Sequence, residues 1–279
     1  MVQRPGFGVL LTRLLNCRQA DIAWLASASS IPESELRSVT DGAPPSPSQC
    51  EGLATALGFH AADLFVVAGL SVPESFQPCE PATGLHLTRL ISVAMALPAD
   101  QRTHIYECVE QSPQLSPVHS ADPPRTYYQG NGGFGEMLVA MLCVNRNLLS
   151  PTSAVQTLAR LTRGGMYVAA STLHSIAAGR APLKATWLVG FATTLGIPVA
   201  DLAAMTGTDL CEPAPPDDPL AAEMATLLWN CRRLTVNQIE NVLAEAEAML
   251  IAVPDDASRD DWNLVHRSND GTWWGAPRR

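Results

Sequence analysis

The feature that most constrains this chain is an internal repeat, because the second half of the sequence follows the pattern of the first. The segment Phe7-Gly8-Val9-Leu10-Leu11 recurs as Phe134-Gly135-Glu136-Met137-Leu138. Further matches follow in the same order: Leu36, Val39 and Gly42 with Leu173, Ile176 and Gly179; Leu57, Asp63 and Gly69 with Leu195, Asp201 and Gly207; Leu90, Leu97 and Gln101 with Leu227, Leu234 and Gln238. Such a repeat predicts two similar folded halves in one chain.

Each half consists of a unit of about 70 residues followed by a predicted helix pair. A stretch rich in Pro, Ser and Gly, without apolar periodicity, joins the halves and is typical of a linker. The predicted boundaries are 1–70 for the first unit, 85–110 for its helix pair, 111–132 for the linker, 133–207 for the second unit, 219–250 for its helix pair and 251–279 for an acidic, Trp-containing tail.

Apolar spacing within the first unit is typical of helices. Leu10, Leu11, Leu14 and Leu15 form a helical stripe. Further predicted helices run from an N-cap at Asp21 through Ala28, from Pro32 to Asp41 with a stop at Gly42, from Ser48 to Leu57 and from Ala61 to Ala68. The sequence therefore predicts an all-α fold.

The order of core and turn residues resembles the lambda-repressor-like (XRE-type) helix-turn-helix family. In the first unit the resemblance rests on Leu25-Ala26, a turn, Ile31, Leu36, Val39, Gly42 and the run Leu53-Ala54-Thr55-Ala56-Leu57-Gly58. In the second unit it rests on Leu158-Ala159, Val168, Leu173, Ile176, Gly179-Arg180 and Phe191-Ala192-Thr193-Thr194-Leu195-Gly196, with a turn about four residues longer. The resemblance covers roughly 140 residues and implies two helix-turn-helix bundles in a DNA-binding transcriptional regulator.

In this family the third helix of each unit enters the major groove of double-stranded DNA, and basic residues around it meet phosphates. The resemblance assigns base contacts to Ser34, Arg37 and Ser38 in the first unit and to Ser171, His174 and Ser175 in the second. It assigns phosphate contacts to Arg146, Arg160, Arg163, Arg180 and Lys184.

Charge distinguishes the two units. The formal net charge is -9, and the second unit lies in the only net-basic stretch. Counting Lys and Arg minus Asp and Glu, the segments give 4 − 7 = -3 for 1–75, 3 − 5 = -2 for 76–130, 5 − 3 = +2 for 131–210 and 6 − 12 = -6 for 211–279. Because phosphate neutralisation supplies much of the affinity for DNA, the second unit is the favoured reader.

The first unit matches the family less well in chemistry. Glu33 and Glu35 lie in its predicted recognition helix, and Ile22 replaces the glutamine that is usual in the family before the turn. A second hypothesis therefore stays open, in which a degenerate helix-turn-helix scaffold binds protein and not DNA. The weakly polar helix Ala169–Ala178 also favours it. The helix pairs are expected to brace the units or to mediate contact with a homodimer or protein partner, for which Ala244–Leu250 is suited.

No motif indicates an enzyme, and no cofactor is expected. The sequence has no G-x-S-x-G or H-E-x-x-H, and Gly130-Asn131-Gly132-Gly133 lacks the preceding strand and Gly-Lys-Ser/Thr ending of a phosphate loop, so it is interpreted as a hinge. The seven cysteines contain no C-x-x-C pair, which predicts no metal site and is typical of a reducing cytosol. Without a signal peptide or membrane-length apolar run, we expect a cytoplasmic protein, associated with the bacterial nucleoid if it binds DNA.

Overall fold

The structure, a computed structural model, describes residues 4–80, 83–113, 133–210, 218–250, 266–267 and 273–274. Apart from two two-residue strands in the tail, the fold of this part of the chain is all-α, with seven α-helices in each half. The first half holds α1 (Phe7–Cys17), α2 (Ile22–Ser29), α3 (Glu33–Thr40), α4 (Pro47–Leu57), α5 (Ala61–Ala68), a short 3-10 helix (Glu74–Phe76), α6 (Gly84–Ala94) and α7 (Ala99–Gln111). The second holds α8 (Phe134–Cys143), α9 (Pro151–Leu161), α10 (Ala170–Ala177), α11 (Ala185–Leu195), α12 (Val199–Thr206), α13 (Pro219–Cys231) and α14 (Val236–Met249).

Local sequence explains where the helices of the first half begin and end. The Asp21 carboxylate accepts a hydrogen bond from the Trp24 backbone N–H at 2.7 Å and caps α2. Ser46 and Gln49 form a reciprocal capping box at the start of α4. At the end of α4, Gly58 adopts a left-handed φ of 66°, which costs glycine little.

The repeated Phe-Gly pair has a packing reason. A Cβ atom on Gly8 in α1 would lie 2.2 Å from the carbonyl oxygen of Val39, at the end of α3. A Cβ atom on Gly135 in α8 would lie 2.1 Å from the carbonyl oxygen of Ile176, near the end of α10. Both glycines therefore allow the first helix of a half to approach its third helix closely, at positions that the sequence repeat pairs.

The two halves pack against each other reciprocally. Helix α1 packs against α12, and α8 packs against α5, so the first helix of each half meets the fifth helix of the other. Their apolar residues belong to one continuous core. This exchange is the pattern of a two-fold symmetric dimer interface, here within a single chain.

The helix pairs break that symmetry. Helix α6 packs against α14 and α9, while α13 packs against α11 and α6, so the principal contacts of both pairs with the units are made to the second half. The Thr88 hydroxyl of α6 lies 3.0 Å from the Thr157 hydroxyl of α9. Ala246, in the segment suited to a partner helix, is fully buried within the chain.

Some predicted features lie outside the described residues: residues 114–132 of the linker, the hinge glycines Gly130 and Gly132, and most of the tail. In the tail, β1 (His266–Arg267) pairs antiparallel with β2 (Trp273–Trp274). Among the described helices none has the length and apolarity needed to span a bilayer.

Candidate nucleic-acid interface

Helix α10 is the third helix of the second half, and its burial pattern sets which side chains face outward. Leu173 and Ile176 are buried in the core, which leaves Ser171 exposed and His174 and Ser175 half-buried. The backbone turn before α10 includes Arg163, with a left-handed φ of 48°. The structure thus places the three predicted base-contact residues of this half along one short helix.

Two cations follow α10 on exposed positions. Arg180 lies just after the helix, and Lys184 occupies the N-cap position of α11. The Lys184 ammonium lies 4.8 Å from the centroid of the Trp187 ring, a cation–π contact that restrains it near the surface.

This region contains no acid of its own. The sequence has no Asp or Glu between Met137 and Ala200, a stretch that includes all of α9, α10 and α11. Arg163 forms an ion pair with Asp218 at 2.8 Å, which brings in one carboxylate from α13's N-cap. Among the described residues Arg180 and Lys184 form no ion pair, so these two cations carry the uncompensated charge closest in sequence to α10.

Two of the predicted phosphate ligands, Arg146 and Arg160, are not fully exposed. Arg146 is wrong as a phosphate contact, because its side chain is 1% exposed and is paired with the buried Asp63. Its Nη2 also donates to the Leu195 carbonyl at 2.7 Å. Arg160 is half-buried on α9, and burial lowers the pKa of its guanidinium. The exposed candidates for phosphate contact are thus Arg163, Arg180 and Lys184, while the contact of half-buried Arg160 stays a prediction.

The corresponding helix of the first half, α3, has a different surface. Ser34, Arg37 and Ser38 are exposed there, but Arg37 is paired with Glu33 at 3.0 Å along the same helix. The carboxylate of Glu35 is also exposed and accepts a hydrogen bond from Gln49. The exposed acids on and around this face outnumber its one arginine: Asp21, Glu33, Glu35, Asp41 and Glu51. Trp24, on the adjacent helix α2, is 43% exposed.

The sequence did not predict the polar centre where α5 meets α8. Asp63 accepts hydrogen bonds from Asn145, at 2.8 Å, and from Arg146. Beside it, His60 stacks on Trp229 of α13, with ring centroids 3.6 Å apart. Burial and the charge of Arg146 lower the pKa of His60 to about 4. One signal was available: Asp63 and Asp201 recur at the same position in two otherwise apolar helices.

The other end of the interface holds the counterpart of this ion pair. Arg18, just after α1, contacts Asp201 of α12 through two hydrogen bonds of 3.1 and 2.5 Å. Each arginine precedes a residue with left-handed φ, Gln19 or Asn147, so the same local geometry is used twice.

Comparisons of the chain with protein-family models, with curated proteins and with solved structures find no match.

Proposed function

We propose that this protein is a DNA-binding transcriptional regulator in which α10 of the second half enters the major groove. The observation that carries the proposal is the stretch from Met137 to Ala200, which contains α10 and no Asp or Glu and which exposes Arg163, Arg180 and Lys184. Phosphate neutralisation needs such cations, and the remainder of the acidic chain offers no equally long stretch without carboxylates.

The proposed contacts divide by chemistry. Ser171, His174 and Ser175 present small polar groups that bond to base edges. Arg180 and Lys184 bind phosphates on either side of the groove and fix the register of the helix. Arg163 joins them by exchanging the Asp218 carboxylate for a phosphate oxygen, since its ion pair is exposed and therefore weak.

In this proposal the first half supports the second and does not read bases strongly. Its predicted contact Arg37 is neutralised by Glu33, and a carboxylate facing a phosphate is repelled. The reciprocal helix contacts between halves hold the two third helices in a fixed relation, as in a dimer.

A second candidate function is protein binding through α2 and α3 of the first half. It is favoured by Trp24, a large aromatic side chain that is 43% exposed beside exposed acids. Aromatic side chains are frequent anchors of protein interfaces. A partner recognised there would carry basic side chains and a pocket for the indole. Partner binding through the helix pairs would have to use their outer faces, because their inner faces pack within the chain.

The test is a mobility-shift series with genomic fragments at increasing salt. We expect retention at low salt and a linear fall of log affinity with log salt concentration. Replacing Arg180 and Lys184 with Ala should reduce the slope by about two and weaken binding about tenfold at moderate salt. Arg37→Ala is the matched control in the first half and should change neither quantity. Absence of salt-dependent retention at low salt would overturn the proposal, and loss of binding in Arg37→Ala alone would move the reading helix to the first half.

A further inference from the structure

An open cavity of about 300 Å³ lies between the ends of α7 and α13, away from helix α10. It is lined by Val109, Glu110, Asn230, Arg232 and Arg233. The size is at the lower end of the range of small-molecule sites, so it suits a ligand of few atoms.

Arg232 makes this cavity unusual because it is a nearly buried cation. The residue is 7% exposed, and its Nε has no hydrogen-bond partner within the described part of the chain. Its Nη1 donates to the Trp229 carbonyl at 3.1 Å. Arg233, beside it, uses Nη1 to hold the Ser75 carbonyl at 2.8 Å, and its Nε also lacks a partner among the described residues.

The surroundings leave positive charge uncompensated. Arg146 and Arg232 both lie over the Trp229 ring, with guanidinium carbons 4.9 and 3.4 Å from its centroid. Asp63 is the buried carboxylate of this group, and it is held by Arg146. Burial and the repulsion of Arg146 and Arg233 lower the pKa of Arg232 to about 9. Arg232 has no carboxylate in an ion pair with it among the described residues; a buried charge without a counterion is costly, and an anion in the cavity would relieve that cost.

We propose that the cavity at the ends of α7 and α13 binds a small oxyanion, a phosphate or a carboxylate, through Arg232, Arg233 and the Asn230 amide. Glu110 is the one carboxylate among the lining residues, and it is exposed. It lies at the solvent side and opposes anion binding, which sets a limit on affinity. The backbone carbonyls at the two helix ends already accept hydrogen bonds. The Trp229 carbonyl accepts one from the Arg232 side chain, and the Val109 carbonyl accepts one from the Ser112 backbone N–H.

Occupancy of this site is coupled to the contact between halves. Arg232 lies on Trp229, Trp229 stacks on His60, and His60 adjoins the Asp63–Arg146 pair between α5 and α8. Neutralising Arg232 would relieve repulsion on Arg146 and strengthen that contact. The inference is independent of DNA binding by α10.

The experiment measures the thermal unfolding midpoint of the full chain in increasing inorganic phosphate, and separately in acetate, with chloride adjusted to constant ionic strength. We expect the midpoint to rise with at least one of the two anions, and the anion that raises it identifies the class. Arg233→Gln should weaken the apparent affinity at least about fivefold, because charge-assisted bonds are lost. Glu110→Gln should tighten it about twofold, because a nearby like charge is removed.

Two further variants make the outcome decisive. Arg233→Lys keeps the charge and should retain most of the rise, which separates anion binding from damage to the fold. The variant with Arg180 and Lys184 replaced by Ala should behave as wild type, since those cations lie elsewhere. The proposal is overturned if neither anion raises the midpoint, if Arg233→Gln and wild type respond equally, or if the Arg180 and Lys184 variant alone loses the response.

Discussion

The contact between the two halves has an Arg–Asp ion pair at each end, and the two pairs differ in how far they are exposed to solvent. At the α1–α12 end, the side chains of Arg18 and Asp201 are 25% and 5% exposed. At the α5–α8 end, those of Arg146 and Asp63 are 1% and 0% exposed. At the α5–α8 end, α13 places the Trp229 ring centroid 4.9 Å from the Arg146 guanidinium carbon and covers the pair. At the α1–α12 end, the Phe59 ring centroid lies 5.8 Å from the Arg18 guanidinium carbon.

Burial changes what such a pair contributes. An ion pair open to water contributes little to stability, since solvent screens it. A pair that is sealed from water, as Arg146 and Asp63 are, stabilises the fold little more than apolar side chains would in its place. Removal of one partner, however, leaves a buried charge that water cannot reach. The sealed end should therefore be the more sensitive to single substitutions, and the open end the more tolerant.

The largest expected effect is at the sealed end. Arg146→Met should lower the free energy of unfolding by about 3–5 kcal/mol, because Asp63 loses its counterion while buried. The double variant Arg146→Met with Asp63→Leu should recover most of this loss, since no charge stays buried. Urea denaturation followed by circular dichroism measures both. A double variant as unstable as the single one would contradict this account.

The next effect is a pH dependence at the same end. His60 has its pKa lowered from 6.5 to about 4, so the folded state resists its protonation. Its contribution to stability is complete above pH 6.5 and is lost as pH falls toward 4, by about 3 kcal/mol in all. His60→Phe keeps a ring on Trp229 and cannot titrate. The urea midpoint of wild type should fall relative to that of this variant as pH decreases from 6.5 to 4, and a difference that does not change with pH would exclude His60 as the titrating group.

A smaller effect separates the halves in function as well as stability. Gly8→Ala and Gly135→Ala should each cost about 1–3 kcal/mol, because the added methyl meets a carbonyl oxygen and pushes the third helix away. Under the proposed function only Gly135→Ala also weakens DNA binding, since it displaces α10. Mobility shifts below the unfolding temperature of both variants test this. Equal losses of affinity would show that both third helices contribute.

The smallest effect is at the open end. Arg18→Ala should lower the free energy of unfolding by about 1 kcal/mol, because shortening this partly exposed side chain opens the Asp201 carboxylate to water. Added salt should weaken the wild-type contact and reduce the difference. A loss as large as that of Arg146→Met would mean that exposure does not explain the contrast between the two ends.

The helices and the repeat could be predicted because both depend on the spacing of apolar and turn residues along the sequence. Helix α5 runs from Ala61 to Ala68, as apolar periodicity and the following Gly69 predict. The burial of Arg146 was not predictable, since its partner Asp63 lies 83 residues away in the other half. Arg146 follows the first helix of the second unit, and the residues next to it in sequence do not indicate whether its side chain faces solvent or an interface. The exposed positions of Arg180 and Lys184 agree with their placement by pattern, while their contact with DNA stays a prediction.

The asymmetric helix pairs also fail to follow from the repeat. Leu90 and Leu227 occupy matching sequence positions, yet α6 and α13 both pack on the second half. Local periodicity indicates which face of a helix is apolar and does not indicate which neighbour covers it.

The reciprocal contact within one chain has a consequence for how such a molecule changes over time. In a homodimer every substitution appears twice, so a change that improves one face alters its symmetric copy as well. Here α3 and α10 are separately encoded while their frame is kept by Gly8 and Gly135. Helix α3 can therefore carry acidic residues while α10 has none. The chain keeps the two-fold arrangement of a dimer, but its two halves can differ in sequence.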